Sequence, residues 1–178
     1  MRRLVVLLRG INVGRHKRIA MPELRELLGE LRYEDVRTHL QSGNALISTD
    51  DAPDAVARAI EDRIRERLGF DVDVVVRTAD ELGAIVESDP LGDVATDGSK
   101  RFALFLSEPP DAAVVKELQA RDFGAEAFAA GEREVYAWCP DGLMDSALMK
   151  ALNGAQLAPV ATARNWNTVT RLLELARG

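Results

Sequence analysis

Cysteine is almost missing from this 178-residue chain, and the single thiol, Cys139, closes no intrachain disulfide and builds no cysteine metal cage. A secreted disulfide scaffold and a zinc finger are excluded, and a reducing, cytoplasmic compartment is expected. Long apolar runs are missing too. The start MRRLVVLLRG has the positive charge of an export signal, but its apolar run at 4–8 is interrupted by Arg9. No stretch approaches the roughly 20 apolar residues of a transmembrane helix, so a protein without membrane partners is expected. Aromatics make up 5% of the chain and there are two histidines, His16 and His39, neither at a metal-ligand spacing from another His or Cys. No metal and no organic cofactor are expected.

What is present is an ordinary globular composition, 47% hydrophobic and 29% charged. The charge is uneven. Residues 1–18 hold Arg2, Arg3, Arg9, Arg15, Lys17 and Arg18 and no acid, so on a chain of net charge −6 the remainder is strongly acidic. Such a balance opposes attachment to duplex nucleic acid, while a local basic patch favours a small anion.

Periodicity supplies the architecture. Residues 4–8 read as a buried strand and residues 10–20 as a loop. Leu24, Leu27, Leu28 and Leu31 then repeat at helical spacing behind Pro22. Residues 36–41 alternate, with Val36, Thr38 and Leu40 on one side, and Ser42-Gly43-Asn44 turns the chain into a strand at 45–49. Asp50, Asp51 and Asp54 bracket Pro53 at the start of a helix whose stripe Val56, Ile60, Ile64, Leu68 ends at Gly69. A strand at 72–76 follows, and Thr78-x-x-Glu81 has the form of a capping box before a short helix. After 89–100, a Gly-, Asp- and Ser-rich stretch read as a linker, the element order repeats: strand 102–106, helix 111–119, hairpin 125–129 with 134–138, helix 145–152, a short strand near 159–162 and a closing helix.

The expectation is an α+β protein of two ferredoxin-like (α/β-plait) β-α-β-β-α-β modules, 1–88 and 101–178, joined by 89–100. A single mixed sheet is the alternative. In the first module the loop leaving strand one and the hairpin leaving strand two fall at the same end of the sheet. Arg9, Gly10, Asn12, Gly14 and Lys17 are thereby brought toward Gln41, Ser42 and Asn44, an arrangement suited to a phosphate or carboxylate. The plainer reading is a tight turn with a solvated basic rim. The loop is neither a Walker A motif nor a G-x-G-x-x-G fingerprint. His39 beside Ser42 lacks a third catalytic partner, and Cys139 is read as a core thiol. Phe105, Tyr136 and Trp138 share a sheet face of the kind that stacks RNA bases, but Glu132 and Glu134 beside them oppose a phosphate backbone. Near the C-terminus, Thr162, Arg164, Asn165, Trp166, Asn167 and Thr168 surround a helix start, where either an anion or ordinary capping fits.

The strings LLRGINVG (7–14), MPELRELL (21–28), LQSGN (40–44) and TARNWNTV (162–169) together resemble a bacterial family known as domain of unknown function 1697. The resemblance covers nearly the whole chain and implies two α/β-plait modules; it brings no activity. Two departures stand out: Arg15 follows Gly14 where the family commonly has another glycine, and Ala163 stands where a threonine is usual. The expected function is binding of a small anionic or nucleotide-like ligand at loop 9–18 and hairpin 41–44, with Arg164, Asn165, Trp166 and Asn167 as further ligand-binding residues. The alternatives are an enzyme acting on a phosphorylated or carboxylated small molecule, with Arg9 holding charge and His39 or a backbone group moving a proton, and an interaction module that pairs through a sheet face or edge, with itself or another chain.

Overall fold

The computed structural model describes residues 1–178. It contains two four-stranded antiparallel sheets and six helices. The chain forms two compact units, Met1–Gly83 with Leu172–Gly178, and Ala84–Arg171. The divide therefore falls inside two helices, and the 89–100 stretch belongs to the second unit, where Leu91 and Ala95 are buried.

The first sheet is built from β1 (Arg2–Leu8), β2 (Glu34–His39), β3 (Asn44–Thr49) and β4 (Val74–Thr78), in the order β2-β3-β1-β4. Both β1 and β2 are antiparallel to β3, so they run in the same direction without touching, as a right-handed β-α-β crossover requires. Leu4, Val6 and Leu8 on alternate positions of β1 join Ala45, Ile47, Val74 and Val76 beneath two helices, α1 (Met21–Glu30) and α2 (Pro53–Leu68). Leu24, Leu27 and Leu28 of α1 and Val56, Ile60 and Ile64 of α2 supply the helical side of this core. The two helices are also linked over their outer faces, where Arg63 pairs with Glu30 at 3.0 Å and Arg67 reaches both Glu26 and Glu30.

Several local signals act as expected. Thr78 and Glu81 close a capping box: the Thr78 amide donates to the Glu81 carboxylate at 2.7 Å, and the Glu81 amide to the Thr78 hydroxyl at 3.1 Å. This box starts α3 (Ala79–Ser88) directly from the last residue of β4. Gly69 ends α2 in the left-handed conformation. Others act differently. The strand before the hairpin stops at His39, which pairs with Asn44, and Leu40 is a turn residue at φ +61°, 54% exposed, so it leaves the side it was expected to share with Val36. Asp50 and Asp51 do not cap α2, whose N-cap is Ala52; Asp50 instead meets the N-terminal ammonium at 2.9 Å.

The second sheet repeats the pattern as β6-β7-β5-β8, from β5 (Arg101–Leu106), β6 (Ala127–Ala130), β7 (Glu134–Trp138) and β8 (Ala161–Asn165). Phe102, Leu104 and Leu106 alternate toward a core closed by α4 (Ala112–Gln119) and α5 (Ala147–Gly154). Asp111 caps α4 and Ser146 caps α5. The short strand expected near 159–162 lies at 161–165, and α6 (Trp166–Arg177) follows with no residue between. The fold is thus two ferredoxin-like modules, each extended by one further helix.

Candidate functional site at the end of the first sheet

The segment 9–20 links β1 to α1, and its shape is fixed by one side chain. Asn12 sits at φ +57°, a conformation Asn accepts more readily than most residues. Its amide Nδ2 donates to the Ile19 carbonyl at 2.9 Å and to the Gln41 carbonyl at 2.7 Å, while its Oδ1 accepts from the Ile19 amide at 2.9 Å. One asparagine therefore closes the loop on itself and ties it to the hairpin. The Asn12 amide adds a bond to the Lys17 carbonyl at 3.1 Å, and the Leu8 amide donates to the Gly43 carbonyl at 2.8 Å.

The hairpin is as tightly specified. Gly43 stands at φ +95°, and a Cβ there would come within 2.9 Å of Ile11 and Leu8. Asn44 is fully buried, and its Nδ2 donates to the His39 carbonyl at 2.8 Å and to the Ser42 hydroxyl at 3.1 Å. Asn12 and Asn44 thus spend their amides within the protein. Gly10 and Gly14, both at φ +68°, face open space.

The basic side chains remain outside. Arg9 is about half exposed and meets Asp73 at 3.4 Å, a loose pair at the sheet edge. Arg15, His16, Lys17 and Arg18 are exposed. Where the loop passes into α1 there is a recess of about 320 Å³, lined by Asn12, Gln41 and the run from Arg18 to Pro22. Its walls are mostly apolar, its lining contains one cation and no carboxylate, and Ala20, the N-cap of α1, provides no side-chain cap. Glu23 in the first turn of α1 is the nearby acid in sequence that opposes an anion. Of the residues expected to form a site, Asn12 and Gln41 line this recess. Arg9, Gly10, Gly14, Lys17, Ser42 and Asn44 build or surround the two segments that enclose it. Arg18, Met21 and Pro22 were legible only as the last charge of a basic run and the opening of a helix.

The C-terminal string belongs to the second unit, and its residues have structural duties there. Arg164 is 8% exposed within β8, where its Nη1 donates to the Thr162 hydroxyl and the Ala163 carbonyl, both at 2.8 Å. Burial lowers its pKa to about 10. The Asn165 side chain accepts from the Thr168 amide at 2.9 Å and so caps α6. Trp166 packs on Tyr136 and lies under the Arg101 guanidinium, 3.7 Å from the ring centroid. Asn167 is packed against Gly98, leaving no room for a side chain at that glycine.

Groups that resemble catalytic ones are also occupied. Tyr136 donates its hydroxyl to the Ile85 carbonyl at 3.1 Å, and burial, aided by Glu134, pushes its pKa up to about 12. Cys139 is fully buried; the Ser146 hydroxyl donates to its sulfur at 3.4 Å. Ser146 also meets Glu126, whose carboxylate accepts from the Ala147 amide. A thiol, a hydroxyl and a carboxylate in contact suggest nucleophilic chemistry, but burial raises the Cys139 pKa to about 11, which suppresses the thiolate. The three groups serve the N-terminus of α5. No group of three or more His, Cys, Asp or Glu is placed to hold a metal ion, and no helix is long and apolar enough to cross a membrane.

Comparison with known proteins agrees with the fold and adds no chemistry. A solved structure described as that of conserved bacterial protein SP0830 from Streptococcus pneumoniae superposes with a TM-score of 0.80 at 22% identity, covering 98% of each chain. At that identity the likeness is one of fold. No curated protein matches the chain. The family model described as "Protein of unknown function (DUF1697)" matches residues 1–136, which takes in the whole first sheet, the asparagine-clasped loop and the second module as far as Tyr136; the chain belongs to that family.

Proposed function

We propose that this protein binds a small anionic or nucleotide-like ligand where loop 9–18 meets hairpin 41–44. The observation that carries the reading is the recess at the loop–helix junction, with Arg18 as its one charged lining residue and Gln41 of the hairpin also in its lining. Arg18 supplies a fixed-charge, multi-donor contact for a phosphate or carboxylate. The apolar wall of Ile19, Met21 and Pro22 accepts the uncharged part of the ligand. Because Asn12 already holds the loop and hairpin together, binding would cost little additional ordering of the backbone.

The test is thermal unfolding against nucleotides, sugar phosphates, inorganic phosphate and carboxylates, with Arg18→Ala and Arg9→Ala beside the parent. A ligand at about 100 times its dissociation constant stabilises by about 2.7 kcal/mol. For a chain of this size that is very roughly 5–11 °C. The expected result is a shift in the parent that Arg18→Ala abolishes and Arg9→Ala reduces. Absence of any shift across the panel, or a shift that survives in both variants, overturns the reading.

A further inference from the structure

The helical layer of the second unit is left open. Between α4 and α5 runs a groove of about 730 Å³, with Val114 and Leu118 on one wall and Ala147, Ala151 and Ala155 on the other. Three alanines and Gly154 keep much of the α5 wall low, with Lys150 as its one long side chain, so an apolar group can approach the helix closely between them. On the turn just before α5, in the same unit, Met144 is 92% exposed and Leu143 is 44% exposed. An apolar side chain held almost entirely in water is chemically matched to the strip of Val114, Leu118, Ala147, Ala151 and Ala155, which runs between the polar side chains of Glu117, Arg121, Lys150 and Gln156. Methionine, unbranched and flexible, is well suited to filling an irregular slot.

We propose that this face is a two-fold interface between two copies of the chain, in which Met144 of each copy enters the α4–α5 groove of the other. Two features favour a second copy over a different partner. First, the groove rim carries both signs: Glu117 of α4 and Arg121 just past its end, and Lys150 on the α5 side. Such a rim is self-complementary under a two-fold axis, because each Glu117 can meet a cation of the other copy. A strongly acidic or strongly basic partner would be mismatched at part of it. Second, the projecting residue and the groove adjoin, Met144 lying three residues before Ala147. When the same patch holds both halves of a contact, reciprocal exchange about a two-fold axis closes at two copies in one compact interface.

The experiment is sedimentation equilibrium of the full chain over a wide dilution series, with Met144→Ser, Met144→Glu and Ala151→Glu in parallel and circular dichroism to confirm folding. The parent is expected to reach twice the 19.5 kDa chain mass and to dissociate on dilution. Each variant is expected to weaken association at least tenfold. Because Met144 is exposed, its variants remain folded even if Ala151→Glu does not. A parent that is monomeric throughout, a dimer indifferent to both Met144 substitutions, or species that keep growing beyond two copies each overturns the proposal.

Discussion

The two modules share a strand order and differ in where each is elaborated. In the first, the connection from β1 to α1 spans residues 9–20, glycine-containing and basic, while α1 and α2 pack closely and are bridged by Arg63 and Arg67. In the second, the corresponding connection from β5 to α4 is residues 107–111 alone, with Pro109 and Pro110 in it and Ser107 bonded to Val160. Its helical layer is open instead. Helix length accounts for much of this. The 16 residues of α2 span about 24 Å, whereas the 8 of α5 span about 12 Å and cannot cover the sheet to the same extent. One topology therefore offers two distinct places to vary, a loop at the sheet's end and a gap between helices, and the halves of this chain have taken one each.

The largest expected effect tests the closed layer against the open one. Ile60→Ala, on the buried face of α2 with no exposed surface, is expected to cost about 3–5 kcal/mol in urea unfolding, toward the upper end for such truncations. Leu118→Ala, whose side chain borders the groove, is expected to cost about 2–3 kcal/mol because water and neighbouring side chains can occupy the space it vacates. Equal costs would mean that the groove does not relieve the second core.

The connections provide a smaller contrast. Asn12→Ala removes three hydrogen bonds and leaves the Ile19 amide and two carbonyls to find other partners, for an expected loss of about 1–3 kcal/mol with faster amide exchange over 10–20. Ser107→Ala removes one bond to the Val160 amide, and its cost should be about 1 kcal/mol with no change in exchange beyond the neighbouring strand ends. If the two costs are alike, the clasp is no more important to the long connection than the serine is to the short one.

The smallest effect concerns alkali. Cys139 has its pKa raised by burial from 9.0 to about 11, so the folded state favours the neutral thiol. That contribution is fully present below pH 9, where the unfolded thiol is also neutral, and is lost as pH rises toward 11. Thermal scans should show stability falling over that window, and Cys139→Ala should flatten the decline. Tyr136, raised to about 12, extends the loss to higher pH and should persist in that variant.

Much of the architecture was legible because alternation and helical spacing report burial directly. The stripe Val56, Ile60, Ile64 marks α2, and Thr78 with Glu81 marks its own capping box. The pairing of the strands into two sheets was inferred from element order, which a short connection and a crossover largely determine. Less visible were features that depend on what a side chain meets in space. Leu40 looks like a strand residue until Gly43 and the Asn44 clasp fix the turn around it. Arg164 reads as a charged donor in a polar string, yet alternation in β8 places it with Thr162 on the sheet face opposite Ala161 and Ala163, and both are buried there. The asparagines at 12 and 44 stood out for their residue type, but nothing in their spacing says whether their amides face a ligand or the backbone. The groove was invisible because no sequence pattern records the distance between two helices.

β4 hands directly to α3, and β8 to α6, without an intervening residue. An added residue at either junction would turn the following helix by about 100° and advance it by about 1.5 Å. The apolar stripe of α6, with Val169 and Leu172 buried, would then rotate off its seat. Changes of length at these elbows thus rotate the helix that follows, while the 9–20 connection can absorb residues as added contour. In a chain built from two copies of one pattern, the places able to grow and the places forbidden to grow are set by whether a strand ends in a loop or in a helix.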